Sequence, residues 1–432
     1  MQGTAVSGAQ ASWAWRVGAL VAIVALSVSG CQREAGTATP SSSESAAPST
    51  TAAPGPARPV AEDFLVARSR PAVSQVATTW SIVDGFVTDI EVDPGLGEVY
   101  VNVDGSLQVL DMASRATVTS VNLPGNATRL AADPWAGVLY ATRGGARGEL
   151  ITVIDTATHE ITRTIEVDGA TLWGIAVDPT TGLIWVMEEG PAGEGDARLA
   201  VIEASSGHVV ARIPVDAEAG AWLAVDPVRG LVLVVENGGR GRMVVIDAAR
   251  REVLRTVQVM PGLDVPCPNC MFYLGAPVVD PTTGLVYVSG SAPRTPDPDV
   301  SLDPDVPEGA LGPAEAVIVP AGRAHGSSPA WAAVPAGGDI GGSVFVVDPG
   351  GGAVVDTVAV PGMVVWSRAC DPAAGAVYLS VIGGPATGVR ALDTETLKLG
   401  DTIPIEGDTT LAVDPTTGRV WVAGNGIAAI LE

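Results

Sequence analysis

The chain is short of the residues that most metal sites and nucleophilic sites need. It has 3 His and 4 Cys among 432 residues, so soft metal ligands are scarce. Basic residues are also few, since 24 Lys and Arg stand against 48 Asp and Glu, for a formal net charge of −24. This balance argues against a nucleic acid as partner and against direct attraction to an anionic membrane surface.

Glycine, proline and apolar residues are plentiful by contrast. The chain has 52 Gly, 33 Pro and 47% hydrophobic residues. The hydrophobic fraction is sufficient for a large core and excludes disorder of the whole chain. The frequency of Gly and Pro predicts many short elements joined by turns instead of long helices.

The N-terminal region has the pattern of an export signal. Residues 17–28 (VGALVAIVALSV) form an apolar run after Arg16. The run is shorter than the about 20 residues that cross a bilayer, and it matches the apolar region of a signal peptide. It ends in VSGC, which resembles the bacterial lipobox. The resemblance implies removal of residues 1–30 and diacylglyceryl attachment to Cys31; the alternative is a Cys that follows an ordinary signal peptide.

A low-complexity segment separates this signal from the folded region. Residues 32–60 are mainly Ser, Thr, Ala, Pro and Gly, with no aromatic residue, Leu or Ile. Nothing in this composition offsets the entropy of ordering the backbone. We therefore expect residues 31–71 to be a lipidated Cys and a disordered tether, and residues 72–432 to fold. The arrangement predicts an extracytoplasmic protein that is anchored to the cell membrane by its lipid.

The folded region contains seven copies of one unit. An Asp-Pro pair recurs after apolar residues and is followed by Gly and an apolar or aromatic pair, as in AVDPTTGLIWV. The seven aspartates are Asp93, Asp133, Asp178, Asp226, Asp280, Asp371 and Asp414. Successive copies are 40 to 54 residues apart, except for one interval of 91 that holds an insertion at about residues 291–342. This period is that of a β-propeller blade.

Each copy has the pattern of four short strands, but the last copy has room for only three. Residues 76–85 (VATTWSIVDG) match the fourth strands of other copies and can supply the missing strand. The prediction is an all-β, seven-bladed propeller of four-stranded blades in which the N-terminal strand closes the last blade. Such closure removes free sheet edges from the ring.

The units resemble the YVTN-type propeller repeat of YncE-like periplasmic and surface proteins. The DPTTGxVYV copies and the run VIDTATHEITRTIEV at residues 153–167 carry the resemblance, which extends from about residue 76 to residue 432. It implies a seven-bladed propeller and an extracytoplasmic setting. It implies no particular chemistry, because propellers serve as lyases, lactonases, dehydrogenases and docking platforms.

The repeated aspartates are interpreted as structural, because a catalytic acid is needed once and not seven times. They are expected to cap turns and to be buried with hydrogen bonds. His159 and His208 fall in the turns before fourth strands, away from the channel, and His325 lies in the insertion.

The first strands carry the candidate binding residues near the channel mouth, which are Asp89, Arg129, Trp173, Trp222, Trp366 and Arg368. The tryptophans can line a ligand site or pack the wide end of the ring, and packing is the favoured interpretation. No catalytic constellation or phosphate loop is found, so no catalytic residue, metal or cofactor is assigned. A monomer that binds a protein or a small ligand is favoured, and a propeller enzyme of the lyase or lactonase kind is the alternative.

A Cys-Pro-Asn-Cys sequence lies in the longest connection between blades. A disulfide between Cys267 and Cys270 suits an oxidising compartment and is the favoured interpretation. A soft-metal site has no fixed spacing to support it, and a thioredoxin-like centre needs a helix that the sequence does not predict. A redox or copper-handling protein is therefore a third candidate function. Cys370, on an apolar strand, is expected to be a buried, inert thiol.

Overall fold

The computed structural model describes eleven ranges of the chain: residues 57–124, 127–143, 149–167, 171–189, 197–217, 221–236, 240–260, 273–291, 342–383, 387–424 and 426–432. The predicted signal peptide, Cys31, Cys267, Cys270 and insertion residues 292–341 lie outside them. One 3-10 turn, Ala61–Phe64, is the single helical element in these ranges. None of the helical structure in them is long and apolar enough to cross a membrane.

Within these ranges, twenty-eight strands form seven antiparallel sheets, which are the seven blades. The chain begins with β1 (Val76–Ser81), which belongs to blade 7. Blades 1 to 3 contain β2 (Val87–Asp93), β3 (Glu98–Val103), β4 (Ser106–Asp111), β5 (Thr117–Asn122), β6 (Ala127–Asp133), β7 (Val138–Arg143), β8 (Glu149–Asp155), β9 (Ile161–Val167), β10 (Thr171–Val177), β11 (Leu183–Glu189), β12 (Ala197–Glu203) and β13 (Val209–Pro214). Blades 4 to 7 contain β14 (Trp222–Asp226), β15 (Leu231–Val235), β16 (Arg242–Asp247), β17 (Glu252–Gln258), β18 (Tyr273–Leu274), β19 (Val278–Val279), β20 (Val286–Ser291), β21 (Gly342–Asp348), β22 (Ala353–Val360), β23 (Met363–Asp371), β24 (Ala376–Ile382), β25 (Gly388–Asp393), β26 (Thr410–Val413), β27 (Val420–Gly424) and β28 (Ile427–Leu431).

The core lies between the blades. Second strands such as β15 are buried along their whole length, because both faces of each sheet pack against neighbouring sheets. One cluster joins Val99 and Val101 of blade 1 to Trp421 and Ile430 of blade 7. The apolar second and third strands of the repeat thus hold adjacent blades together by burial of apolar surface.

The Asp-Pro turns are capped as the repeat predicts. Asp178 is buried, and its Oδ1 accepts hydrogen bonds from the Thr180 amide at 2.9 Å and the Thr180 hydroxyl at 2.7 Å. Gly182 closes the turn with φ of +71°, a conformation that favours glycine. The other six aspartates are also buried, which agrees with their structural interpretation.

The ring closes through the N-terminal strand. Strand β1 pairs with β28, in the sheet order β1-β28-β27-β26, and Trp80 lies opposite Ala428. The Trp80 ring meets the Trp421 ring edge-on, with 5.8 Å between centroids. The first strands contact one another in succession, and β26 contacts β2 to complete the circle. The all-β, seven-bladed prediction and the closure of the last blade are confirmed.

Two blades depart from four regular strands. In blade 5 the first strand is divided into β18 and β19 around Pro277, which has no amide hydrogen to donate. In blade 6 the outer edge is reduced to two isolated bridges, Val389 with Ile403 and Leu392 with Leu399. Pro404 follows Ile403 and removes the next donor from that edge.

Residues 57–75, named here the N-terminal strap, lie on the face of the ring that bears the Asp-Pro turns. Two guanidinium groups bind buried carboxylates there: Arg58 binds Asp133 at 2.6 Å, and Arg70 binds Asp371 at 2.9 Å. Between them, the Thr282 hydroxyl of blade 5 donates to the Val66 carbonyl at 3.2 Å. The part of the predicted tether from residue 57 to residue 71 is therefore in contact with the propeller.

Candidate binding site at the channel mouth

The site begins with one position of the repeat, four residues before each Asp-Pro aspartate on the first strand. First strands run towards the Asp-Pro turns, so this position lies at the opposite end of the channel, the mouth. In blade order its residues are Asp89, Arg129, Gly174, Trp222, Ala276, Ser367 and Thr410. Blades 1, 2 and 4 thus place an acid, a base and an indole where other blades have small residues.

Arg129 spans the mouth from blade 2. Its Nη1 donates to the Thr88 carbonyl of blade 1 at 2.9 Å, and its Cζ lies 4.1 Å from the centroid of the Trp222 ring on blade 4. Blades 1 and 4 are separated by three steps around the seven-bladed ring, so the guanidinium bridges well-separated parts of the wall. A cation over an indole contributes about 0.5–2 kcal/mol. Trp222 therefore packs under a charged side chain, and the two together cover part of the channel.

Asp89 is held beside Arg129 by backbone amides. Its Oδ2 accepts a hydrogen bond from the Leu130 amide at 2.8 Å, and its Oδ1 accepts one from the Ile90 amide at 3.0 Å. Desolvation raises the pKa of the Asp89 carboxyl, and attraction to Arg129 and these amides opposes the rise. The structure thus brings Asp89, Arg129 and Trp222 together as one group.

The remaining predicted residues are one position away from this register. Trp173 precedes Gly174 and is 37% exposed, so its ring is accessible at the mouth. Trp366 and Arg368 lie on β23, and the structure does not describe their side chains. Trp173 is consequently the exposed aromatic side chain among those of the predicted set that the structure describes.

Glu91 is a channel residue that the sequence analysis missed. Two residues before each repeat aspartate, blade 1 has Glu91, whereas the other blades have Ala131, Ala176, Ala224, Val278, Ala369 and Ala412. Desolvation and the nearby Asp89 raise the pKa of the Glu91 carboxyl to about 8. The signal was present in the sequence, because EVDP stands alone among copies that read AADP, AVDP, VVDP or ACDP.

We expect Glu91→Gln to change how stability depends on pH. The folded-state pKa of about 8 exceeds the ordinary 4.5, so the folded protein holds a proton between these pH values that the unfolded chain releases. The contribution of Glu91 to the free energy of unfolding of the wild type therefore falls as the pH rises from about 4.5 to about 8. Melting temperatures should show Glu91→Gln above wild type at pH 9 and close to it at pH 4.5. The exposed Glu62→Gln variant is the control, and parallel curves for all three proteins contradict the assignment.

Several of the described charged groups on the mouth side of blades 3 and 4 are paired with one another. Arg242 donates to Glu236 at 2.6 Å and to Asp216 at 2.9 Å, and these contacts raise its pKa. Glu188, which is buried, accepts from Arg212 at 3.0 Å. Arg242 thus links blade 4 to Asp216 at the start of the connection from blade 3, and Arg212 links two strands within blade 3, so these charges have structural roles.

The described part of the chain has no group of three or more His, Cys, Asp or Glu side chains placed to hold a metal ion. Cys370 is a free thiol whose pKa is raised by burial, as expected for an inert cysteine. His159 lies away from the channel, where its Nε2 is 2.9 Å from Glu98 Oε2 of the neighbouring blade. Cys267 and Cys270 lie outside the described residues, so their pairing stays a prediction.

The comparisons with known proteins agree with this fold. No protein family and no curated protein matches the sequence. The β-propeller domain of Cps50 (Swd1) from Myceliophteria thermophila is similar in structure, with a TM-score of 0.53 and 12% identity over 83% of this chain and 98% of that one. Hydrazine synthase from Kuenenia stuttgartiensis has a TM-score of 0.56 and 13% identity over 82% of this chain and 98% of that one. The chain is thus a seven-bladed β-propeller, and at these identities the likeness extends to the fold alone.

Proposed function

We propose that this propeller is an extracytoplasmic, lipid-anchored protein of the YncE-like kind that binds a protein or a small ligand at the channel mouth. The observation that carries the binding proposal is the convergence of Asp89, Arg129 and Trp222 from three blades. In a repeat protein, residues that recur in every unit maintain the fold. Residues that break the repeat at one register and meet in space are the candidates for recognition.

The mouth combines groups suited to a ligand with both apolar and polar parts. Trp173 offers an accessible ring, Arg129 offers positive charge, and Asp89 adds a carboxylate with a fixed orientation. Few well-placed polar groups around an aromatic wall are typical of small-molecule sites. A net charge of −24 makes Arg129 a local exception in an acidic protein.

A ligand screen with matched variants tests the binding site. Compounds that raise the melting temperature of the wild-type protein are titrated against Arg129→Met, Trp173→Ala and Thr181→Ala. The first two variants alter the mouth, and the third alters an Asp-Pro turn on the other face. We expect the mouth variants to weaken binding about tenfold or more, which corresponds to about 1.4 kcal/mol, and Thr181→Ala to leave it unchanged. Binding that responds only to Thr181→Ala places recognition on the opposite face.

The anchoring proposal depends on Cys31 and has its own test. If VSGC is a lipobox, Cys31→Ala removes the thiol that receives the lipid. A single acyl chain already binds membranes measurably and two or more hold a protein stably, so the variant should move from the membrane fraction to the soluble fraction. Metabolic labelling with a radioactive fatty acid should mark wild type only. A variant that stays in the membrane fraction would refute the lipobox.

Glu91 favours an enzyme as the second candidate function. A carboxyl with a pKa of about 8 is protonated at neutral pH and can act as a general acid. Its position in the channel suits the lyase or lactonase alternative. Turnover of a lactone panel by wild type and not by Glu91→Gln supports this candidate, whereas equal rates for both proteins exclude Glu91 from any such reaction.

A further inference from the structure

The seven Asp-Pro turns satisfy the second carboxylate oxygen, Oδ2, in different ways. In the three DPTTG turns a hydroxyl from the same turn does so. The donor is the threonine three residues after the aspartate: Thr181 to Asp178 at 2.7 Å, Thr283 to Asp280 at 2.9 Å, and Thr417 to Asp414. These turns need no help from another segment.

Three turns without that threonine receive a guanidinium group instead. The pairs are Arg58 with Asp133, Arg229 with Asp226, and Arg70 with Asp371. Each guanidinium also donates to the proline carbonyl of the next blade's Asp-Pro turn, at Pro179, Pro281 and Pro415 respectively. Each lies against the glycine that ends that next turn, at Gly182, Gly284 and Gly418. The same site, an aspartate on one blade and a carbonyl and glycine on the next, therefore occurs three times with an arginine in it.

The seventh turn, DPGLG in blade 1, has neither solution. Asp93 Oδ1 accepts from the Gly95 amide at 2.9 Å and the Leu96 amide at 3.1 Å. In the part of the chain that the structure describes, Asp93 Oδ2 accepts no hydrogen bond, although Asp93 is only 3% exposed. Within the described residues, Asp93 Oδ2 thus lacks the protein donor that the same oxygen has in each of the other six turns, so a donor from another molecule can take that position.

The adjoining turn of blade 2 shares its glycine conformation with the other three sites but not its backbone hydrogen bond. The Gly137 amide donates to the Pro134 carbonyl at 3.4 Å, whereas in the other three turns the glycine amide donates to the aspartate carbonyl and the proline carbonyl accepts from arginine. Gly137 has φ of +66°, like the glycines against which the arginines lie. A Cβ built on Gly137 meets only Thr156 Oγ1, at 3.8 Å, whereas one built on Gly182 meets the Arg58 guanidinium at 2.3 Å. The space that a guanidinium takes at Gly182 is thus open at Gly137.

We propose that Asp93, the Pro134 carbonyl and Gly137 form a binding site for the guanidinium group of an arginine side chain. The site lies on the Asp-Pro face, opposite the mouth, and is independent of the function proposed above. A planar guanidinium offers parallel donors to a carboxylate and a further donor to a carbonyl, a geometry that the compact ammonium of lysine does not reproduce. The side chain would come from a partner protein.

A blocked arginine provides the probe. N-acetyl-arginine amide is titrated into the full mature protein while backbone amide resonances are followed by NMR. We expect the Gly137 amide to shift with arginine and not with the uncharged citrulline analogue. Leu96→Thr converts the turn to one with a threonine three residues after Asp93, as in the three self-satisfied turns. This variant should fold normally, keep the capping amides, and weaken the probe about tenfold or more.

A second variant tests the charge of the site. Asp93→Asn keeps an acceptor for the capping amides, removes the charge, and should abolish the response. Absence of a response in the wild type, or an equal response in Leu96→Thr, overturns the proposal.

Discussion

A chain that begins at Phe86 is expected to melt far below a chain that begins at residue 57 and to aggregate when concentrated. The truncation removes β1 and leaves β28 as an unpaired sheet edge. It also exposes Trp421, which is 1% exposed in the intact ring. Each large apolar side chain that loses its burial costs about 1.5–3 kcal/mol, so the loss amounts to several kcal/mol. Calorimetry and light scattering of the two chains provide the measurement.

An intermediate truncation separates ring closure from the strap. A chain that begins at residue 72 keeps β1 but lacks Arg58 and Arg70. We expect its melting temperature to fall between those of the other two chains. Equal melting temperatures for the chains that begin at residues 57 and 86 would show that β1 does not close the ring.

Replacement of Arg70 by Met is expected to lower the free energy of unfolding by about 3 kcal/mol. Arg70 donates Nε to Asp371 Oδ2 and Nη2 to Asp371 Oδ1, both at 2.9 Å, and the Asp371 side chain is only 1% exposed. Loss of one partner leaves the other as an uncompensated buried charge, which costs about 3–5 kcal/mol. Urea denaturation of wild type and variant measures the difference.

Arg68 provides the matched control because it lies on the same strap and also binds carboxylates. Its partners are exposed, Asp393 at 35% and Glu395 at 80% of their side-chain surface. Exposed pairs of this kind contribute about 0–1 kcal/mol, so Arg68→Met should differ little from wild type. The double variant Arg70→Met with Asp371→Asn should recover part of the lost stability. Similar losses for Arg68→Met and Arg70→Met rule out burial as the cause.

The fold could be predicted because every copy of the repeat carries the same structural signals. The Asp-Pro pair and the following Gly mark a capped turn in every blade, and the period between copies gives the blade length. The closure followed from counting strands, since the 18 residues after Asp414 cannot form three strands. The reduced outer edge of blade 6 was not predicted, because the repeat pattern indicates a fourth strand there and gives no sign that it shortens to isolated bridges before Pro404.

The site could be predicted only in part. The register of the first strands identified Asp89, Arg129 and Trp222, but not that Arg129 reaches over Trp222 from two blades away. Glu91 could have been identified by comparing the seven copies at the position two residues before the aspartate. Arg58 could not be identified from the sequence, because its partner Asp133 lies 75 residues further along the chain and its neighbours in the sequence are Ala, Pro and Gly. Composition describes what a segment can bury, whereas an ion pair depends on where the fold places its partner.

The strap also determines how the molecule responds to mechanical load. If the protein is held by its N-terminus, tension enters at Arg58 and must detach that guanidinium from Asp133 before it reaches Arg70 and then β1. The bidentate ion pairs on blades 2 and 6 therefore have to break one after the other before force reaches the closing strand, β1. Pulling on the N-terminus loads short polar contacts that can re-form, and the pairing of β1 with β28 bears no load until those contacts have broken.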